Sequence, residues 1–294
     1  MKSKKKFALV ALIAACSIFV ATACTERADS TPNQSESVET APDNNENSGD
    51  SETNLPPQGN TPSQDSAPPQ QTAPPQDSAP SKPATQQYIR CTADNVNIRS
   101  GAGTDFTILG QAEEGTMYAI TGKIGNWYKT YYRGKTAYVY AEYATVFTLP
   151  LSENTKAEKV IEEGYKHIGV PYVYGAVRLH DGNGNFLKGF TAQKFDCSSL
   201  VQYVYYQAAG KLLNVTTRTQ VTQGKYVAKK DLQRGDCIYF TNESRKHLTG
   251  VERVGHVAIY LGNDYILHTA SDYARIEKMS STRWSHYIEA RRFV

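Results

Sequence analysis

The stretch Phe195-Asp196-Cys197-Ser198-Ser199-Leu200 places a cysteine between small polar residues, immediately before an apolar pattern with helical spacing. We predict a helix that begins near Cys197 and ends before Gly210. Unpaired backbone N–H groups and the positive end of the helix dipole stabilise a thiolate, so we expect a lowered pKa for Cys197. Such a cysteine is a candidate nucleophile if a base lies nearby. Without a base, the alternative to a catalytic role is that Cys197 is a small, buried apolar residue of the core.

Two histidines are candidates for that base because they fall on one predicted hairpin. The side chains of Gly255–Gly262 alternate in the pattern of a β-strand, and Asn263-Asp264 predicts a tight turn. Tyr265–His268 then forms the second, antiparallel strand of the predicted hairpin. Adjacent antiparallel strands place His256 and His268 opposite or diagonal to each other on one sheet. A thiol, a base and a group that orients the base are the elements of nucleophilic catalysis. The four remaining histidines are expected at the surface or as caps: His167, His180, His247 and His286.

Residues 87–149 form short β-rich runs separated by turn glycines, which predicts a small all-β barrel. Val96-Asn97-Ile98-Arg99-Ser100-Gly101, Asn126-Trp127-Tyr128-Lys129 and a later Tyr138-Val139 resemble the pattern of a bacterial SH3b domain. The resemblance implies a domain that binds peptidoglycan or packs beside a catalytic domain. A spacer without a ligand is the alternative.

The first 23 residues read as a signal peptide, because four lysines precede the apolar run Phe7–Ala23. The run ends in Val20-Ala21-Thr22-Ala23-Cys24, which resembles a bacterial lipoprotein box and implies acylation of Cys24. The alternative is ordinary cleavage and release. Residues 25–86 are rich in Pro, Ser and Gln and poor in large apolar side chains, so we predict a disordered linker.

The charge of the chain is unevenly distributed. From Gln87 to the end there are 26 basic and 19 acidic residues, whereas the predicted linker is acidic. A net positive folded part suits an anionic polymer, although a positive surface can also serve solubility alone. No basic and aromatic groove indicates nucleic acid. No metal-ligand spacing is present, and counting alone leaves a Cys91–Cys237 disulfide possible.

Residues 155–294 resemble the NlpC-type cysteine peptidases of the bacterial cell wall. The fold that this implies is α+β and papain-like, with a helix that bears the cysteine packed on an antiparallel sheet. The order of the motifs carries the resemblance: Pro171-Tyr172-Val173-Tyr174-Gly175, the Cys197 hexapeptide, Leu232-Gln233-Arg234-Gly235-Asp236, Gly255–Gly262 and Ile266-Leu267-His268.

The resemblance implies a role for each matching position. Cys197 would be the nucleophile, His256 the general base and His268 the residue that orients it. Tyr172 would help to stabilise the oxyanion, and Asp196 and Ser198 would hold the free amine of a stem peptide. Two features depart from the family pattern: Ser199 replaces a glycine, and the segment 177–194 is unusually long.

The implied function is hydrolysis of the γ-D-glutamyl bond to the diamino residue, diaminopimelate or lysine, of peptidoglycan stem peptides. We expect no cofactor or metal, a monomer, and an extracytoplasmic location with a lipid anchor in the bacterial membrane, facing the cell wall. Two alternatives stay open. One is an N-acetylmuramoyl-L-alanine amidase, and the other is a non-catalytic protein that binds the cell wall.

Overall fold

The computed structural model describes residues 84–294. The predicted signal peptide, the predicted acylation site Cys24 and the predicted linker up to residue 83 lie outside the described residues. The predicted linker ends at Gln86, but the first strand already begins at Thr85, because Thr85 and Gln86 pair with Pro150 and Leu149. That pairing partner lies more than 60 residues away in the sequence, so local composition does not reveal it.

The fold is α+β, as the resemblance implies: eight short strands are followed by helices and a second set of strands. The first eight strands are β1 (Thr85–Cys91), β2 (Val96–Arg99), β3 (Ile108–Ala112), β4 (Met117–Ala119), β5 (Gly122–Ile124), β6 (Trp127–Tyr132), β7 (Lys135–Tyr140) and β8 (Ala144–Pro150). They form a three-stranded sheet in the order β4-β1-β8 and a five-stranded sheet in the order β3-β2-β7-β6-β5.

The second half holds four α-helices and a six-stranded sheet. Its elements are α1 (Thr155–Lys166), α2 (Cys197–Ala209), α3 (Thr217–Gln220), β9 (Lys225–Val227), β10 (Cys237–Phe240), β11 (His256–Gly262), β12 (Tyr265–Ala270), β13 (Tyr273–Lys278), α4 (Ser281–Ser285) and β14 (Tyr287–Arg292). The strand order is β13-β12-β11-β10-β14-β9, and all pairs are antiparallel. None of the helices within residues 84–294 is long and apolar enough to cross a membrane.

The two central helices pack on this sheet through apolar faces. Helix α1 begins at the Asn154 cap and buries Val160, Ile161 and Tyr165 at helical spacing. Helix α2 contacts α1, β11 and β12, and it ends at Gly210, whose φ of 62° is the left-handed conformation favoured by glycine. Its buried face therefore presents the N-terminal turn of α2 to the strands that carry the two histidines.

A buried arginine joins the two halves of the described chain. Arg234 donates hydrogen bonds to Glu158 (2.7 Å), the Tyr165 hydroxyl (2.9 Å), the Tyr88 hydroxyl (3.0 Å) and the Leu261 carbonyl (2.8 Å). Its side chain is only 4 % exposed. Tyr88 lies in β1, and the other partners of Arg234 lie beyond residue 150. These hydrogen bonds therefore join the part of the chain formed by β1–β8 to the part that holds the six-stranded sheet.

The structure answers one open question about buried side chains and corrects one expectation. The pairing of Cys91 in β1 with Cys237 in β10 was left open, and both are free thiols. His180 was expected at the surface but is fully buried, because the segment 177–194 folds back on α2 and packs its ring against Tyr206 in a tilted arrangement. The Nδ1 atom of His180 accepts a hydrogen bond from the Gly182 N–H at 3.0 Å.

Candidate active site

Cys197 is the first residue of α2, as the apolar spacing and the small polar neighbours predict. A capping box fixes this turn: the Asp196 carboxylate accepts the Ser199 N–H (2.9 Å), and the Ser199 hydroxyl accepts the Asp196 N–H (2.8 Å). Ser199, which departs from the family glycine, therefore has a structural role. The cap holds the thiol beside strand β11, next to the Val257 backbone N–H.

The prediction of a lowered pKa for the Cys197 thiol is wrong. Burial raises its pKa to about 12, and the adjacent Asp196 carboxylate raises it further. The backbone N–H groups of Val257 and Ser198 and the charge of Arg178 act in the opposite direction but do not outweigh burial. At neutral pH the residue is therefore a thiol, and a base must remove its proton as the sulfur attacks.

The two hairpin histidines lie in contact. His256 starts β11, His268 lies in β12, and the His256 Nε2 and His268 Nδ1 atoms are 2.9 Å apart. The pairing of Tyr260 with Ile266 puts the two residues diagonally across neighbouring strands on one face of the sheet. Burial lowers the pKa of both rings, that of His256 well below its usual 6.5, so both are neutral at pH 7.

A carboxylate that sequence reasoning missed extends this chain of hydrogen bonds. Glu277 in β13 accepts a hydrogen bond from His268 Nε2 at 3.1 Å, and Arg283 donates to both oxygens of the same carboxylate at 2.9 and 3.1 Å. Burial opposes the charge of Glu277, but the bonds from His268 and Arg283 prevail and lower its pKa to about 2. The signal that could have found Glu277 is weak, since it needs the register of β12 against β13.

Glu277 determines which nitrogen of each ring carries the proton. A carboxylate only accepts hydrogen bonds, so the neutral His268 ring bears its hydrogen on Nε2 and accepts at Nδ1. His256 must then donate from Nε2, which leaves its Nδ1 lone pair available. Within residues 84–294 no hydrogen bond engages that Nδ1 atom. The arrangement is that of a base held in its proton-accepting tautomer.

Tyr172 lies near the thiol. It forms an isolated parallel bridge with Phe195 and lines the same cavity as Cys197. Burial, followed by the nearby Cys197 and Asp196, raises the pKa of its hydroxyl to about 12. The hydroxyl therefore keeps its proton at neutral pH and can donate a hydrogen bond into the cavity.

The residues expected to hold a substrate amine already have a partner. Arg178, from the long segment 177–194, donates to Asp196 Oδ2 (2.7 Å) and to the Ser198 hydroxyl (3.1 Å). Sequence reasoning missed Arg178, because a segment without periodicity gives no indication of where its side chains lie.

The cavity beside Cys197 has a volume of about 440 Å³ and carries three arginines, Arg178, Arg218 and Arg245, against the single carboxylate of Asp196. A larger cavity of about 790 Å³ lies beside Trp127 and Tyr140 and contains none of the predicted site residues. No group of three His, Cys, Asp or Glu side chains in residues 84–294 is arranged to bind a metal ion. The smaller cavity therefore presents a thiol, the Tyr172 side chain and cationic walls, and the two histidines lie on the strands against which α2 packs.

Comparison with known proteins finds matches for both parts of the described chain. Residues 169–292, which contain the thiol, both histidines and Glu277, match the NlpC/P60 family, and residues 94–145 match the bacterial SH3 domain. The chain carries an NlpC/P60 domain behind a bacterial SH3 domain. In this NlpC/P60 domain the thiol is on the helix and the imidazoles are on the sheet, as the resemblance implies.

Several characterised proteins are similar to parts of the chain. A gamma-DL-glutamyl hydrolase of Bacillus subtilis is 32 % identical over 161 residues, which are 54 % of this chain and 35 % of that protein. The peptidoglycan DL-endopeptidase CwlO of Bacillus licheniformis is 31 % identical over 136 residues, covering 45 % of this chain and 27 % of that protein. The chain thus spans about a third or less of these two relatives.

Among solved structures, an NlpC/P60 family protein from Bacillus cereus aligns with 71 % of this chain and 63 % of its own. Its TM-score is 0.38 and its sequence identity 20 %.

Proposed function

We propose that this chain is a peptidoglycan hydrolase that cleaves the γ-D-glutamyl bond to the diamino residue of stem peptides. The observation that carries the proposal is the hydrogen-bonded series from His256 through His268 to Glu277, on the strands against which the Cys197 turn is packed. The matched family supports this choice of substrate, and so do the activities for which the two Bacillus relatives are named.

The first half of the reaction forms a thioester. As Cys197 Sγ attacks the γ-carbonyl carbon, His256 Nδ1 takes the thiol proton. The negative charge that develops on the carbonyl oxygen is stabilised by the Cys197 backbone N–H and by the Tyr172 hydroxyl. This N–H lies in the first helical turn and has no hydrogen-bond partner within residues 84–294. The carbon–nitrogen bond then breaks, and His256 gives its proton to the leaving amine of the diamino residue.

The second half releases the acyl part of the peptide. A water molecule attacks the thioester carbon, His256 Nδ1 takes a proton from that water, and the carbon–sulfur bond breaks. The proton returns to sulfur, so the neutral thiol and neutral imidazole are restored. In both halves the imidazolium that forms on His256 is stabilised through His268 by the negative charge of Glu277.

Mass spectrometry of the products tests the proposed bond. The full chain is incubated with disaccharide tripeptides that carry diaminopimelate or lysine, and Cys197→Ala serves as the control. We expect a free diamino acid and a disaccharide that retains L-Ala-D-Glu. Release of the whole tripeptide from the disaccharide would instead identify an amidase. Binding to insoluble cell wall without any cleavage would identify a non-catalytic wall-binding protein.

We further propose that the enzyme works as a monomer outside the cytoplasmic membrane, held by a lipid on Cys24 and without a cofactor. The order of a charged segment, an apolar segment and a cysteine after small residues supports the anchor. Incorporation of labelled fatty acid into the chain in a bacterial host, and its loss in Cys24→Ala, would be the expected result. Equal labelling of both proteins would contradict the anchor at Cys24.

A further inference from the structure

The guanidinium group of Arg178 is fixed beside the thiol by four hydrogen bonds. Its Nε donates to the Val215 carbonyl (3.1 Å) and its Nη1 to the Ala176 carbonyl. Its Nη2 donates to Asp196 Oδ2 (2.7 Å) and Ser198 Oγ (3.1 Å). The side chain is 14 % exposed, so it forms part of the cavity wall. Of its five N–H groups, one on Nη1 is left without a partner within residues 84–294.

The Asp196 carboxylate has no remaining capacity to accept a substrate ammonium group. Oδ1 accepts the Ser199 N–H (2.9 Å) and the Ser198 hydroxyl (3.0 Å), while Oδ2 accepts the Gly175 N–H (3.2 Å) and Arg178 (2.7 Å). Four donors fill the four lone-pair positions of a carboxylate. An incoming ammonium group would have to displace a guanidinium that main-chain carbonyls hold in place.

The other charges of the cavity are also positive. Arg218 and Arg245 line it and share one carboxylate, that of Glu252, which is 62 % exposed. In the proposed substrate seven bonds separate the N-terminal nitrogen from the attacked γ-carbonyl carbon, so the two atoms lie within about 9 Å of each other. A free ammonium group there would meet like charges, whereas a neutral acyl carbonyl could accept the unpaired Nη1 hydrogen of Arg178.

We propose that Arg178 makes this cleft selective for stem peptides whose first residue is N-acylated, as it is when the peptide is attached to glycan. The inference rests on the proposed endopeptidase function and narrows its substrate. Asp196 and Ser198 thus position Arg178 and do not hold a free amine. The same cleft disfavours peptides whose first residue has a free amine.

Paired peptides test this selectivity. L-Ala-γ-D-Glu-diaminopimelate and its lysine counterpart are each prepared with a free and with an acetylated N-terminus, and kcat/KM is measured for the full chain by quantifying the released diamino acid. We expect at least a tenfold preference for the acetylated peptide. Arg178→Gln should reduce this preference at least fivefold, whereas Arg178→Lys, which keeps a cation on Asp196, should retain most of it.

Arg218→Ala is the matched control, because it removes one positive charge from the same cavity without touching Asp196. Because Glu252 already pairs with Arg218, this variant should lower the preference by less than twofold. A wild-type enzyme that cleaves the free peptide as well as or better than the acetylated one would overturn the inference, whatever the variants do. An unchanged preference in folded Arg178→Gln would also overturn it. If the folded wild type cleaves no peptide at all, the proposed function itself is wrong.

Discussion

Replacing Glu277 with glutamine tests whether the histidine pair depends on the carboxylate behind it. The variant keeps the size of the side chain but removes the charge that accepts from His268 and pairs with Arg283. The amide can also turn its NH₂ group toward His268, which would reverse the tautomers of both rings and place a hydrogen on His256 Nδ1. Either change weakens the base that must take the proton of Cys197.

The size of the effect follows from the pKa of Glu277, which is about 2 where 4.5 is usual. This difference corresponds to a net stabilisation of the charged carboxylate by roughly 3 kcal/mol, after burial has opposed the charge. Arg283 supplies part of it, so we assign about 2 kcal/mol to His268, within the ~1.5–3 kcal/mol of a hydrogen bond to a charged group. A loss of that size in the transition state lowers kcat/KM by about 30-fold, and a reversed tautomer would lower it further.

The assay measures kcat/KM for peptide cleavage between pH 5 and 9, together with the thermal unfolding temperature. Glu289→Gln is the matched control, because Glu289 is exposed to a similar extent and is also paired with an arginine. It does not belong to the hydrogen-bonded series of His256, His268 and Glu277. We expect a 10- to 100-fold loss for Glu277→Gln and less than a twofold loss for the control. If the activity of Glu277→Gln is within threefold of the wild type, the proposal that Glu277 supports the His256 base through His268 is refuted.

Two further predictions concern stability. Burial holds the pKa of His256 well below 6.5 in the folded chain, so unfolding takes up a proton below pH 6.5. Burial also raises the pKa of the Cys197 thiol to about 12 and that of the Cys91 thiol to about 11 in the folded chain. Unfolding therefore releases protons from these thiols above about pH 9. The free energy of unfolding in urea should therefore be higher at pH 7.5 than at pH 5.5 or 9.5, and a higher value at either extreme would contradict these buried neutral states. Arg234→Met should lower the free energy of unfolding by about 3 kcal/mol, because it leaves the buried hydroxyl groups of Tyr88 and Tyr165 without their donor. A loss below 1 kcal/mol would show that the hydrogen bonds of Arg234 contribute little to stability.

The elements that carry the thiol and the histidines could be predicted because their signals are local. The Asp196 cap and Gly210 mark the two ends of α2, and the Asn263-Asp264 turn has the positive φ values (49° and 66°) that a tight hairpin requires. Once these elements are given, adjacency of His256 and His268 follows from the period of a β-strand.

The remaining features depend on contacts between distant segments. Glu277 reaches His268 only because β13 pairs with β12 in one particular register, and Arg178 reaches Asp196 from a segment without secondary-structure periodicity. The expected lowering of the Cys197 pKa was wrong for the same reason. A helix N-terminus is visible in the sequence, but the burial that outweighs it comes from tertiary packing.

The central claim is that Cys197 performs nucleophilic catalysis, and the most direct measurement is kcat/KM of Cys197→Ala on the peptide that the wild type cleaves best. The side chain is buried and small, so the variant should unfold at nearly the wild-type temperature. We expect kcat/KM to fall by about 10³-fold or more, since the residues of a catalytic triad act as a unit. A folded Cys197→Ala protein that keeps more than a tenth of the wild-type activity would contradict the account.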